Sequence, residues 1–301
     1  MRVKDVLADF LLALEAAGRS PATVVWYRAR LARLAELAAP IERIDAPAIR
    51  AWLLCVKRGL RGAATSDNYV ESHRRAAARL FTWAVREGAL ARSPMANVEK
   101  GRIRRREITV LSPEEIARLF AATPARTAKG LRDRAMLAVL YDSGVRVGEL
   151  VTMQVSDVDL GAGTALVRGK TGEGRVPLSI ECRRVVLAYL QRARGRMFAF
   201  ADPGVLFVGK GGRPLAPNGI RQWLRKLARH AGIAKRISPH TFRHSFSTQY
   251  LRNGGDPFTL QRILRHRTAA MTQRYVHLAM ADVEERHRTA SPLARMLGAG
   301  G

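Results

Sequence analysis

Six side chains in this sequence belong to types that handle a phosphate ester: Arg146, Lys170, His240, Arg243, His266 and Tyr275. A guanidinium forks onto two non-bridging oxygens. An ammonium on a glycine-flanked turn, such as Lys170 in GKTGEGR, reaches a leaving oxygen on a flexible stem. Imidazoles trade protons near neutral pH, and a phenol becomes a nucleophile once its proton is taken. The stretch SPHTFRHSFSTQYL, residues 238–251, concentrates the pattern. Ser238 and Pro239 read as a helix start, after which His240, Arg243 and His244 share one face beside Phe242 and Phe246. Singly, none of these is informative. An arginine is ordinarily a surface residue, a tyrosine at helical spacing is ordinarily core, and GKTGEGR lacks the GxxxxGK[ST] order of a phosphate-cradling loop.

The elements that must position these groups are mostly helical. Four helices are expected before Val98. One covers about Val3–Ala17, a second is opened by Ser20-Pro21 with Val24, Tyr27, Leu31, Leu34 and Leu37 in a stripe, a third follows Asp45, and a fourth runs from about Ser66 to Glu87. Residues 99–110, EKGRIRRREITV, are basic and aperiodic and read as a linker. Ser112 with Glu115 is a capping-box pattern that opens the second part. A helix over about 130–142 is broken by Gly144, and VRVGELVTM begins the next. The period then changes: β-prone runs at Ala165–Arg168 and Arg175–Leu178 flank glycine-rich turns and predict a small antiparallel sheet. Helices return at about 180–194, 217–231, 238–252, 257–265 and 269–276, and the tail from Asp282 is expected to form a last one. The expected fold is mainly α with a small antiparallel β-sheet, in two domains, 1–98 and 111–301, joined by the 99–110 linker.

Charge narrows the partner. The 301 residues hold 52 Lys+Arg against 25 Asp+Glu, a formal charge of +27, and an excess of that size implies a polyanion, nucleic acid before membrane. Arg28, Arg74 and Arg75 in the helical first part, and Arg102, Arg104, Arg105 and Arg106 in the linker, are candidate backbone-phosphate contacts. Cys55 and Cys182 lie far apart with no CxxC, which argues against a zinc ribbon or a disulfide framework and fits a reducing cytosol. The N-terminal apolar stretch is interrupted by Asp9 and Glu15, so it reads as an amphipathic helix and not a signal peptide. No run approaches the ~20 apolar residues that span a bilayer. The expected location is cytoplasmic, at the nucleoid. The carboxylates do not cluster as in two-metal nucleases, so neither a metal nor a cofactor is expected.

Read together, the boxes resemble the tyrosine recombinase (phage integrase) family over almost the whole chain, in its Xer-like form. Arg146 in SGVRVGELV, Lys170 in VRGKTGEGRVPL, His240 and Arg243 in HTFRHSFST, and His266 and Tyr275 in LRHRTAAMTQRYVH stand in family order at family-like spacing. The chain departs from the family at Leu264-Arg265-His266, where LGH is common, and at Arg267, where a small residue is usual; both extra arginines are further candidates for phosphate contact.

The resemblance implies a helical SAM-like core-binding domain and a catalytic domain that close on double-stranded DNA as a clamp. It makes Tyr275 the nucleophile, forming a covalent 3′-phosphotyrosine and freeing a 5′ hydroxyl, with strand exchange through a Holliday junction. Arg146 and Arg243 would stabilise the five-coordinate phosphorus, with a hydrogen bond from His266. His240 would take the phenol proton and Lys170 would protonate the 5′ oxygen. Glu149, one turn past Arg146, is expected to pin that guanidinium, and His244 is expected to point inward as a structural hydrogen-bonding group. The family also implies short inverted-repeat sites and a tetramer on DNA, with the tail ADVEERHRTASPLARML docking on a neighbour through Leu293, Met296 and Leu297. A type IB topoisomerase and a catalytically silent DNA-binding regulator are the competing readings.

Overall fold

The computed structural model describes residues 1–37, 39–59, 64–101, 108–169, 172–199 and 201–279, with 287, 291–293 and 296 of the tail; for 277–279 it describes the backbone alone. Lys170, Arg102, Arg104, Arg105, Arg106, the tail segment from Asp282 to Arg286, and Leu297 lie outside the described residues. Two compact units result, Met1–Arg106 and Glu107–Gly301, so the division falls within the basic 99–110 segment.

The first unit consists of helices α1 (Val3–Ala16), α2 (Pro21–Ala35), α3 (Ala46–Arg58) and α4 (Asp67–Arg86). Each of the last three starts where the sequence supplies a cap: Ser20, Asp45 and Ser66 accept from the backbone N–H of Thr23, Ala48 and Tyr69. Their apolar faces meet in a core of Phe10, Leu31, Leu34, Ile49, Leu80 and Phe81, all essentially without solvent contact.

The second unit starts at α5 (Pro113–Ala121), where Ser112 and Glu115 form a reciprocal capping box. Helix α6 (Ala128–Ser143) is buried on nearly every side by residues such as Ala135, Leu137, Val139 and Leu140. The short α7 (Val147–Thr152) leads into strands β1 (Val158–Asp159), β2 (Thr164–Gly169) and β3 (Gly172–Pro177), an antiparallel sheet in sequence order. Gly169 pairs with Gly172 at the end of the β2–β3 ladder. Helices α8 (Ile180–Arg192), α9 (Pro217–His230), α10 (Pro239–Arg252), α11 (Pro257–Leu264) and α12 (Ala270–Ala279) complete it. Its main core holds Leu137, Leu150, Val186, Tyr189, Phe207, Leu224 and Phe242. A separate small cluster, Phe246, Leu251, Leu260, Leu264 and Tyr275, joins α10, α11 and α12. Among the described residues the fold is thus mainly helical with one small antiparallel sheet, and no helix is long and apolar enough to cross a membrane.

Candidate active site

Gly144 ends α6 in the left-handed conformation, with φ at 61°, and turns the chain into Val145 and Arg146. A Cβ there would lie 2.6 Å from Cδ1 of Phe246, so turn and packing both demand glycine. Arg146 is the N-cap of α7. Glu149 Oε2 accepts from its backbone N–H at 2.9 Å and Oε1 accepts from its Nη1 at 3.0 Å. With Glu149 only 2 % exposed, the carboxylate is fixed by its surroundings and fixes the guanidinium in turn.

Arg243 enters from the first turns of α10. Its Nη1 donates to the Gly144 carbonyl at 2.7 Å and its Nη2 to the Leu264 carbonyl at 2.6 Å. These are carbonyls at the ends of α6 and α11, where helix dipoles turn their negative poles outward. Burial, and then the charge of Arg146, brings the Arg243 pKa down to about 10, which leaves it a cation at neutral pH. His266, just past the end of α11, has Nδ1 2.8 Å from Thr272 Oγ1 and stacks on the Tyr275 ring at 6.2 Å between centroids. Burial first, then Arg243, Arg274 and Arg146, pushes its pKa down to about 4.

Tyr275 sits on α12 with its side chain wholly enclosed. Its hydroxyl lies 2.8 Å from His244 Nδ1 and accepts an N–H from Arg274 Nη2 at 3.0 Å. Arginine only donates, so the arrangement in which the hydroxyl gives its own proton to Nδ1, with the His244 proton on Nε2, uses both of the hydroxyl's contacts. His244 is neutral at pH 7: burial, then Arg274, His240 and Arg243, pushes its pKa down to about 4. His240, one turn earlier, has its ring 6.4 Å from that of His244. Its pKa is lowered by partial desolvation and then by Arg243, Arg221, Arg146 and Arg274, although the residue as a whole keeps an exposed edge.

Four sequence expectations change here. His244 is a hydrogen-bonding group as expected, but it is only half-buried and its partner is the tyrosine, because α12 packs across α10 at the level of 244. For the same reason the ring within reach of the phenol is His244 and not His240. Arg265 is not a free phosphate contact: its guanidinium donates to Glu149 Oε1 and, at 3.1 Å, to both the Val167 and Gly172 carbonyls. Arg74 is also engaged, forking onto Glu71 at 2.8 and 2.7 Å. Arg28, Arg75 and Arg267 are exposed. Although Lys170 lies outside the described residues, its neighbours Gly169 and Gly172 border the site: a Cβ on Gly169 would lie 2.8 Å from Glu149 Oε1.

Sequence reading missed Arg274 and Thr272. Arg274 is adjacent to the tyrosine in the chain, but neighbours on a helix point about 100° apart. It reaches the hydroxyl by folding its long stem over the ring, with Cζ 4.9 Å from the centroid.

A phenol with a neutral imidazole on one side, and fixed guanidiniums and a second imidazole around it, defines a centre for phosphoryl transfer to tyrosine. The model of the phage integrase family matches residues 109–282. The chain is 31 % identical over 255 residues to tyrosine recombinase XerD of Oceanobacillus iheyensis, covering 84 % of each. It is similar to the crystal structure of XerA recombinase at 27 % identity and a TM-score of 0.54, over 96 % of this chain and 98 % of that one. A lambda integrase(75–356) dimer bound to a COC′ core site shares the fold, at 19 % identity and a TM-score of 0.74 over 91 % and 95 % of the chains. The chain therefore belongs to the phage integrase family, the tyrosine recombinases, and its activity is site-specific cleavage and rejoining of DNA. Neither the topoisomerase reading nor the silent-regulator reading is favoured by these matches.

Proposed function

We propose that Tyr275 is the nucleophile and that recombination passes through a 3′-phosphotyrosine. The phenolic oxygen bonds to phosphorus, its proton passes to His244 Nδ1, the bond from phosphorus to the 5′ oxygen breaks, and Lys170 protonates that oxygen. Arg146, Arg243 and the Nε2 side of His266 hold the non-bridging oxygens, where charge builds on the way to five-coordinate phosphorus. His240 hydrogen-bonds the same phosphate from the exposed edge. The 5′ hydroxyl of another strand reverses the step: it returns a proton to the neutral Lys170 amine as it attacks phosphorus, and the departing phenolate recovers its proton from His244. Two such rounds pass through a Holliday junction without ATP.

The observation that carries this reading is the Tyr275 hydroxyl seated between His244 Nδ1 at 2.8 Å and Arg274 Nη2 at 3.0 Å. In the wider assembly the two units clamp double-stranded DNA at a short inverted repeat, in the cytoplasm on nucleoid DNA. Exposed Arg28, Arg75 and Arg267 support backbone contact, as do Arg102, Arg104, Arg105 and Arg106 by their charge. Tetramer formation through the tail is supported by Leu293 and Met296, which are 60 % and 70 % exposed. The test is a nicked duplex built on the sequence that the protein retains from a random DNA pool. The wild type should leave a denaturant-stable protein–DNA adduct and Tyr275→Phe none; an adduct formed by the phenylalanine variant overturns the assignment.

A further inference from the structure

Arg265 is the one non-glycine residue with positive φ among the described residues, at 52°. It caps α11 in the left-handed conformation, where a Cβ is strained against the following carbonyl and glycine is the undemanding choice. The strain is matched by what the side chain does. It is 11 % exposed and ties three elements together: the end of α11, Glu149 of α7, and both strands of the hairpin through the carbonyls of Val167 and Gly172. The hairpin is shaped to receive it. A Cβ on Gly174 would lie 2.6 Å from Arg265 Cδ, so the guanidinium stem lies in a cradle that only glycine leaves open. Glu149, in turn, shares Oε1 between Arg265 and Arg146. One carboxylate therefore faces two guanidiniums, and the three groups together keep a net positive charge.

We propose that Arg265 is a positioning residue: it locks strands β2 and β3 onto the Glu149–Arg146 pair, and that fixed base is what Lys170 needs to serve the leaving 5′ oxygen. The inference rests on the reading above, in which Lys170 of that turn protonates the leaving oxygen. It uses the strand ends and their carbonyls, whose contacts are described, and not the turn itself.

The chemistry supplies a selective test. An alkoxide leaves poorly without a proton, whereas a thiolate, whose conjugate acid has a pKa of about 8.5, leaves without one. Single-turnover cleavage is measured on two nicked duplexes, one with the natural 5′ oxygen and one with sulfur at that bridging position. Arg265→Gly removes the clamp yet relieves the backbone, so it should fold; Gly174→Ala attacks the same contact from the hairpin side. Both should cleave the oxygen substrate about 10- to 100-fold more slowly than wild type, the scale of an ångström-level misplacement. Both should return to near the wild-type rate on the sulfur substrate, the signature expected of Lys170→Ala. Wild-type rates on oxygen in the two variants, or losses equal on both substrates, overturn the proposal while leaving the Lys170 reading intact. A Lys170→Ala variant with no oxygen-selective loss overturns the lysine reading, and the proposal with it.

Discussion

Arg243 and Arg75 carry the same charge in opposite settings. In the second unit Arg132, Arg194 and Arg243 are 8 %, 5 % and 5 % exposed; Arg243 ends on backbone carbonyls, whereas Arg132 and Arg194 meet both carbonyls and a carboxylate, Asp133 and Asp202 respectively. Arg132 Nη1 donates to the Val208 carbonyl at 3.0 Å, and Arg194 Nη2 donates to that of Val205 at 2.7 Å. In the first unit Arg28 and Arg75 stand in solvent, and Arg30 lies against aromatic faces, its Cζ 5.5 Å from the Trp26 centroid and 5.0 Å from that of Tyr69. The contrast separates two uses of a cation. A guanidinium held by carbonyls cannot relax toward or away from a phosphate, so it acts on charge that develops during reaction. A solvated one is screened within about 8–10 Å and adds affinity for any backbone, with little effect on the chemical step.

The largest effect that tests this contrast comes from Arg243→Ala. It should lower single-turnover cleavage by about 10²–10³-fold or more, with little change in DNA affinity. It should also lower thermal stability, because the Gly144 and Leu264 carbonyls lose their partner, at about 1–3 kcal/mol for a buried polar group left unpaired. Next is His244→Ala, expected to slow cleavage by about 10²-fold or more as the phenol loses its acceptor. The pH profile sharpens that result. His244 and His266 each have a pKa pushed down from 6.5 to about 4, so in the wild type the acid limb of cleavage should fall near 4 and not near 6.5. The sign for stability follows. Below 6.5 the unfolded chain binds protons that these two histidines refuse in the fold, so stability present above 6.5 falls progressively toward pH 4, as urea midpoints would record. The smallest effect belongs to Arg28→Ala and Arg75→Ala. Each should reduce the slope of log affinity against log salt by about 0.9 and leave the cleavage rate of saturated complex unchanged. A slower saturated rate in either variant would erase the distinction between the two settings.

Much of this was readable from the chain. Helix starts were legible because a cap is local: Ser20-Pro21, Ser112 with Glu115, and Ser238-Pro239 each announce one. The hairpin was legible in the switch to β-prone runs between glycines, and its register follows from Gly169 facing Gly172. The fate of individual arginines was not. Arg74 and Arg75 are adjacent in sequence, yet Arg74 forks onto Glu71 and Arg75 faces water. Arg265 meets a carboxylate 116 residues away, a partner that no local pattern reveals. The different surroundings of His240 and His244 have the same origin. Both lie on one face of α10, and only the crossing of α12 decides which of them meets the phenol.

Tyr275 shares its packing with Phe246, Leu251, Leu260 and Leu264, and has no solvent contact of its own. A hydroxyl so enclosed is a sheathed blade. Two hydrogen bonds and a small patch of core hold it in place, and the one to His244 is the contact through which its proton leaves in the reaction proposed above. What the burial gives is orientation: the phenol oxygen is kept from bulk water and points in one direction, so little of its freedom is left to lose on the way to reaction.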